Sequence, residues 1–163
     1  RSIPDAVYRT LVQEANADLP TLHRYFQLRS KMLGLQKAGY QDVYVPLAKP
    51  SRKYTVAEAE SLTLEALKPL GSDYTAKLAE AFKGGWMHSV PQRGKRSGAY
   101  MNPAAYDVHP YLLMSFNGDY NSVSTLAHEW GHAMHSVFSN AAQPFETADY
   151  SIFIAEKIGR AHV

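Results

Sequence analysis

The sequence contains no cysteine among its 163 residues, and it has no long apolar run. Without cysteine there is no disulfide framework, no thiolate metal ligand and no thiolate nucleophile. No apolar run approaches the roughly 20 residues that span a bilayer, and no signal peptide is visible. We therefore expect no association with a membrane, and the missing cysteine and signal favour a cytoplasmic location.

The sequence has no strong excess of either charge. It contains 17 Lys and Arg and 15 Asp and Glu, which gives a net charge of +2. A dedicated nucleic-acid binder usually concentrates basic residues on one face, so we expect no nucleic-acid partner. The short basic cluster at residues 93–96 is interpreted as a solvated loop. Apolar residues make up 45% of the chain, which is enough for a sizeable core and excludes the disordered and fibrous classes.

Residues 1–85 are predicted to form a helical part of the domain, and residues 86–156 a second region of different composition. Apolar residues at helical spacing predict a helix over residues 1–35. Pro20 predicts a break in that segment or the start of a second helix, because proline lacks the N–H that a helix interior needs.

Two further helices are predicted in the first part. Thr55 and Glu58 form a capping-box pattern that predicts the start of one helix, and that helix should end near residues 69–71. Residues 72–82 are predicted to form another short helix, which a pair of glycines ends. The fold class is therefore mostly α.

A small β element is predicted just before the most informative helix. Residues 111–116 form an apolar run followed by an Asn-Gly pair, a pattern typical of a strand and a turn. Ser122 or Ser124 is predicted to cap the helix that follows, which should run to about residue 140. A last helix is predicted to begin near residues 147–148.

His128, Glu129 and His132 form the pattern H-E-x-x-H. Positions four apart lie on one helix face, so the two histidines can present their imidazoles to one Zn²⁺ at about 2.0–2.1 Å. Glu129 lies beside the metal, where it can accept the proton of a zinc-bound water, whose pKa the metal lowers from ~15.7 to ~7. The pattern predicts that residues 86–156 form a zincin-like helical catalytic region that binds one Zn²⁺ per chain.

A catalytic zinc needs a third protein ligand and an open fourth position. His135 is the nearest candidate, but it lies only three residues beyond His132, and a packed histidine is the favoured interpretation. The acids that a following helix could offer are Glu146, Asp149 and Glu156. Glu156 follows an apolar run, and a carboxylate there would be costly to bury unless it bound a metal. The other two lie in a polar, proline-containing segment that favours surface or capping roles.

The sequence resembles oligoendopeptidase F, the bacterial branch of the thimet oligopeptidase family of zinc metallopeptidases. The resemblance extends from about residue 2 to residue 156 and is carried by four segments, at residues 94–100, 109–111, 128–135 and 148–156. It implies a general base at Glu129 and zinc ligands at His128, His132 and Glu156.

The same resemblance implies a zinc-dependent endopeptidase that cuts internal bonds of short peptides in a channel between two helical halves. Residues 98–100 and the strand at residues 111–116 would line that channel, where an extended peptide can add to a sheet edge. Chains of the family are longer at both ends, and nothing here matches their downstream Tyr and His oxyanion donors. Loss of such donors typically costs ~10²–10³ in rate, so we expect an internal fragment that is incomplete and inactive by itself.

A non-catalytic helical binding module that retains an inherited zinc site is the alternative from another functional class. Glu129 argues against it, because a scaffold needs no base beside two metal-spaced histidines. An aminopeptidase would need a site for a free N-terminal amine, and no such pattern is visible. We expect short peptides as partners, and the sequence predicts no particular oligomeric state.

Residues 157–163 are predicted to be a non-native tail. Their last six residues, Ile-Gly-Arg-Ala-His-Val, are what one reading frame of a common sequencing adapter encodes. Resequencing the source nucleic acid tests this interpretation, and an intact genomic read through these codons would contradict it. We assign the tail no function.

Overall fold

A computed structural model describes residues 4–48, 52–103 and 105–160, without the side chains of residues 158–160. The predictions for residues 1–3 and for the last three residues of the tail lie outside this description. The chain divides into two compact units, Arg1–Lys49 and Pro50–Val163. Within the described ranges, no helix is long and apolar enough to cross a membrane.

The first unit is built on one long helix, α1 (Asp5–Met32), which continues through Pro20. The predicted break at this proline is therefore wrong. A proline inside a helix removes one hydrogen bond and costs about 3 kcal/mol. Here the carbonyl that loses its partner belongs to Asn16, which is exposed, so water can satisfy it. The helix tolerates the proline because the loss falls on a solvated stretch.

Arg29 fixes the segment that follows α1. A 3₁₀ helix, Tyr40–Tyr44, comes after the turn at the end of α1. The buried guanidinium of Arg29 donates hydrogen bonds to the carbonyls of Asp42, at 3.0 and 3.2 Å, and of Val45. Backbone carbonyls thus satisfy a buried charge and hold the 3₁₀ helix against α1.

The second unit begins with the two predicted helices. In α2 (Val56–Ala66), the Glu58 N–H donates to Thr55 Oγ1 and the Thr55 N–H donates to the Glu58 carboxylate, at 3.1 and 2.8 Å. This reciprocal pair confirms the predicted capping box. A short 3₁₀ turn, Lys68–Leu70, follows α2. Helix α3 (Ser72–Lys83) then ends at Gly84, as predicted.

Three short strands lie between α3 and the next helix along the chain, and together they form one sheet. It consists of β1 (Met87–His88), β2 (Tyr100–Asn102) and β3 (Tyr111–Leu113), in the order β1-β3-β2. The central strand β3 pairs parallel with β1 and antiparallel with β2. The predicted strand is thus confirmed but is shorter than residues 111–116. The N–H groups of Met114 and Phe116 donate instead to the carbonyls of His88 and Ser89, at 3.1 and 2.8 Å.

Lys95 ties the loop after β1 to the sheet. Its ammonium donates to the carbonyls of His88, Val90 and Met114 at 3.0, 2.7 and 2.5 Å. The other residues of the segment 93–96 are exposed, as expected of a solvated loop, whereas Lys95 is half-buried. Three carbonyls take up its three N–H donors, so this lysine acts as a structural cross-link.

The long helix α4 (Tyr120–Ala142) begins at Asp119 rather than at either predicted serine. The Asp119 carboxylate accepts hydrogen bonds from both the N–H and the hydroxyl of Ser122, each at 2.7 Å. A charged carboxylate is a stronger acceptor than a hydroxyl, and Ser122 serves as its donor. The predicted turn before the helix is confirmed, because Gly118 has a φ of +74°.

Helix α4 supplies much of the hydrophobic core. Its fully buried side chains include Leu126, Trp130 and Met134, which pack with Leu78 of α3 and with Leu112 of β3. The ring of Phe82 meets Trp130 edge-on with centroids 4.8 Å apart. Burial of one side of α4 fixes the direction in which its other residues point.

The chain after α4 does not form the single predicted helix. A four-residue helix, α5 (Phe145–Ala148), is followed by an extended Asp149 and then by α6 (Ile152–Arg160). The Ser151 carbonyl accepts hydrogen bonds from the N–H groups of Ile154 and Ala155, at 3.0 and 3.1 Å, and so starts α6. The predicted start near residues 147–148 is wrong, because the extended backbone at Asp149 interrupts the helix.

Candidate metal centre

The two histidines of the H-E-x-x-H pattern meet on one face of α4. His128 and His132 lie one turn apart, and their Nε2 atoms are separated by 3.0 Å. Their rings are perpendicular, with centroids 4.6 Å apart. Burial first, and then the neighbouring His128, lower the pKa of His132, which favours the neutral imidazole that a metal requires.

Glu156 on α6 brings a carboxylate to the same point. Its Oε2 lies 3.7 Å from Nε2 of His128, and one atom from each of the three side chains falls within 4.8 Å of the others. Tetrahedral zinc with bonds of about 2.0–2.1 Å holds neighbouring ligand atoms roughly 3.3 Å apart. Two of the separations, 3.0 and 3.7 Å, lie on either side of that value, and the third is within 4.8 Å, so the set of two imidazoles and one carboxylate suits the ion.

The environment of Glu156 differs from the one expected from sequence. Its side chain is 61% exposed, and Ile152, Phe153 and Ile154 before it are also exposed. The expectation that an apolar helix would bury this carboxylate is therefore wrong for the described chain. Glu156 comes close to the histidines because α6 packs against α4 through Ala155, which is 8% exposed.

The other candidate ligands lie elsewhere. Among the described residues, His128, His132 and Glu156 form the one group of three such side chains close enough to share an ion. Neither Glu146 nor Asp149 belongs to it. His135 is a packed residue, as predicted, because its ring stacks on Tyr150 with centroids 3.7 Å apart.

Glu129 has an environment unlike that of an ordinary surface glutamate. The residue is 8% exposed. Burial, reinforced by the charge of Glu156, raises the pKa of Glu129 to about 7, although a hydrogen bond from the Met101 N–H acts in the opposite direction. A carboxyl group with this pKa can both accept and release a proton near neutral pH.

A cavity of about 390 Å³ joins these groups. Strand β2 and the loop around it form one wall, α4 forms the floor, and α6 forms the other wall. The lining residues are Ala99, Tyr100, Met101, Pro103, His128, Glu129, His132, Tyr150, Ile152, Ala155 and Glu156. Ala99 and Tyr100 thus lie beside the site, as expected. The central strand β3 does not line this cavity, so the expectation for residues 111–116 is not met here.

Cavity size alone does not mark the site. A slightly larger cavity, about 430 Å³, is lined by Trp86, His109 and Val137 among others. None of the metal-site candidates lines it. The smaller cavity is distinguished by its chemistry, since it brings three possible ligands and a carboxyl group of raised pKa together.

Sequence reasoning missed two polar residues beside the centre. Ser136 is 1% exposed, and its Oγ lies 2.7 Å from the hydroxyl of Tyr150. Ser136 continues the four-residue spacing of His128 and His132, so this spacing was the signal that could have found it. Tyr150 had no comparable local signal, because only the tertiary fold brings it to α4.

A helix with paired histidines and an adjacent glutamate, completed by a carboxylate from a later helix, is the arrangement typical of zinc peptidases. Comparison with known sequences supports a peptidase. The chain belongs to peptidase family M3, whose sequence profile matches residues 1–159.

The relatives extend the comparison. The chain is 42% identical to oligopeptidase PepF of Bacillus subtilis, over 95% of this chain and 23% of that protein. It is 40% identical to the group B oligopeptidase PepB of Streptococcus agalactiae, over 94% of this chain and 26% of that protein. The fold matches a crystal structure from Chlamydophila abortus named as a peptidase, with a TM-score of 0.85 and 38% identity. The match covers 99% of this chain and 27% of that chain. The chain therefore spans about a quarter of the length of these relatives.

Proposed function

We propose that this chain carries the zinc-binding catalytic region of a metalloendopeptidase that hydrolyses internal bonds of short peptides. The observation that carries the proposal is the convergence of His128, His132 and Glu156 beside Glu129 in one cavity. Relatives named as oligopeptidases support the reaction class and the size of the substrate.

The roles follow from the positions of the side chains. His128 and His132 offer Nε2 lone pairs and Glu156 a carboxylate oxygen, and together they would hold one Zn²⁺. Zinc, when bound, supplies Lewis acidity that lowers the pKa of water to ~7 and polarises a carbonyl group. Glu129 offers a carboxylate oxygen that takes the proton of the attacking water and passes it to the leaving amine.

The protein also offers a way to hold an extended peptide. Strand β2 is an edge strand of the sheet and lines the cavity with Tyr100 and Met101. A substrate in the extended conformation can add to such an edge through main-chain hydrogen bonds. This mode of binding would place a scissile carbonyl beside Glu129 without requiring a particular side chain on either side.

Zinc stoichiometry on the purified chain tests the metal site. We expect about one zinc per chain, lost in His128→Ala, with circular dichroism showing that both samples are helical. A helical wild-type chain that binds no zinc would contradict the proposal. Peptide hydrolysis by the whole protein then separates the peptidase from a non-catalytic binding module, because only the peptidase loses turnover in Glu129→Gln while it keeps its zinc.

A further inference from the structure

The ligand face of α4 continues beyond the metal site. His128, His132 and Ser136 are spaced by four residues and therefore lie on one face of the helix. Ser136 is almost fully buried and lies 2.7 Å from the hydroxyl of Tyr150. The Ser136 hydroxyl also points to Met101 Sδ, at 3.9 Å. A hydroxyl that donates to Met101 must accept from Tyr150, so the two contacts define one direction of donation.

Tyr150 is held at its ring as well as at its hydroxyl. The ring stacks on His135, the neighbour of Ser136 in sequence, with centroids 3.7 Å apart and an angle of 24° between the planes. Two contacts with adjacent residues of α4 leave the tyrosine side chain little rotational freedom. They also place Tyr150 in the wall of the metal cavity.

A second tie lies just upstream in sequence. The hydroxyl of Ser139 donates to the carbonyl of Ala148 at 2.6 Å, and Ala148 is buried. The connection between α5 and α6 is therefore attached to α4 at two points separated by one residue. Both points lie on the helix that carries His128 and His132.

The connection leads directly into helix α6, which carries Glu156. Glu156 is six residues after Tyr150 and lies in the second turn of α6. Of the residues from Ile152 to Glu156, only Ala155 is buried, whereas the apolar side chains that precede it are exposed. Ala155 is thus the buried contact of this turn of α6, and the attachment of Tyr150 adds a second restraint on the distance between Glu156 and the histidines.

We propose that Tyr150 is a positioning residue whose attachment to Ser136 sets the place from which α6 brings Glu156 to the metal. The inference rests on the function proposed above, since it assumes that Glu156 is a ligand. One helix would then fix all three ligands, two directly through His128 and His132, and the third through the Ser136–Tyr150 contact.

The test compares metal binding by the full chain and its variants. Tyr150→Phe removes the hydroxyl and keeps the ring, and Ser136→Ala removes the other half of the same hydrogen bond. We expect each variant to weaken zinc affinity by about 10-fold, the lower end of the effect known for residues that orient metal ligands. The double variant should be no weaker than either single one, because both break one contact. Tyr120→Phe, at an exposed tyrosine on the same helix, is the matched control and should bind zinc as the wild type does.

Cobalt(II) absorption supplies a readout that a loss of stability would not mimic. In Tyr150→Phe, the visible bands of the cobalt-substituted chain should shift toward those of Glu156→Ala, because the third ligand is less well placed. Unchanged zinc affinity and an unchanged cobalt spectrum in both Tyr150→Phe and Ser136→Ala would overturn the inference. If Glu156→Ala weakens binding while these two variants do not, only the positioning role fails. A wild-type chain that binds neither zinc nor cobalt would refute both the proposed function and the positioning role of Tyr150.

Discussion

The backbone of Met101 on β2 faces the buried carboxyl group of Glu129 and lowers its pKa, against the effect of burial. The edge strand β2 and the candidate base thus line the same cavity, where an extended peptide would lie. Helix α4 carries Glu129 between His128 and His132, and β2 lies across the cavity from it. The charge of the candidate base is thus influenced by two elements, since α4 buries it and the backbone of β2 favours its charged form.

Glu129→Gln is the first variant to examine. The amide keeps the size of the side chain and leaves the three candidate ligands intact, but it cannot take a proton. We expect zinc content to be unchanged and the rate of peptide hydrolysis by the whole protein to fall by ~10²–10⁴. Zinc content and kcat/KM are measured on the same preparation. Turnover at the wild-type rate would show that another group is the base.

Glu156→Ala tests the third ligand. Residues that merely orient metal ligands contribute 10–100-fold to affinity, so loss of a direct ligand should weaken zinc binding by at least ~100-fold. Competition with a chelator of known affinity gives the dissociation constant. Glu146→Ala is the control, because Glu146 lies outside the group of three. Equal affinities in the two variants would place the third ligand elsewhere.

The local features of this chain were open to prediction from sequence. The capping box of Thr55 and Glu58 and the facing histidines of α4 depend on spacings of three and four residues, which the geometry of one helix determines. The turn at Gly118 is similarly local. Such features can be predicted from sequence because no distant residue is needed to form them.

Features that depend on distant contacts were not predictable in this way. Strands β1 and β2 are two and three residues long, and they exist because β3 pairs with both. Pro20 was expected to break its helix, but the helix continues because the residues around the proline are exposed to solvent. Glu156 was suggested by an apolar run that turned out to be exposed, and the contact of Tyr150 with Ser136 exists only because α6 returns to α4.

Zinc should stabilise the folded chain. A ligand that binds only the folded state at 100 times its dissociation constant contributes about 2.7 kcal/mol, which corresponds to a rise in Tm of roughly 5–10 °C for a chain of this size. Thermal unfolding followed by circular dichroism, with and without zinc, measures the effect. In His132→Ala the rise should disappear. A similar rise in that variant would mean that zinc binds at another place.

Asp119 should contribute to stability as the N-cap of α4. Its carboxylate accepts two hydrogen bonds from Ser122, so Asp119→Ala should lower the free energy of unfolding by about 1 kcal/mol. Ser124→Ala, at the other serine that the sequence suggested, should change it by much less. Urea unfolding of the two variants and the wild type compares them. A larger loss in Ser124→Ala would show that the helix starts later.

The Asp119 cap should also depend on pH in a defined direction. Hydrogen bonds from the Ser122 side chain and backbone lower the pKa of Asp119 below its usual value, which is about 3.9. A carboxyl group with a lowered pKa stabilises the fold above that value, and its contribution is lost as the pH falls below it through the folded-state pKa. The stability difference between wild type and Asp119→Ala should therefore shrink at acid pH. Asp119→Asn caps through a neutral amide, so its advantage over Asp119→Ala should persist there. A constant difference between wild type and Asp119→Ala down to the lowest pH at which the chain stays folded would show that the charge of Asp119 plays no part.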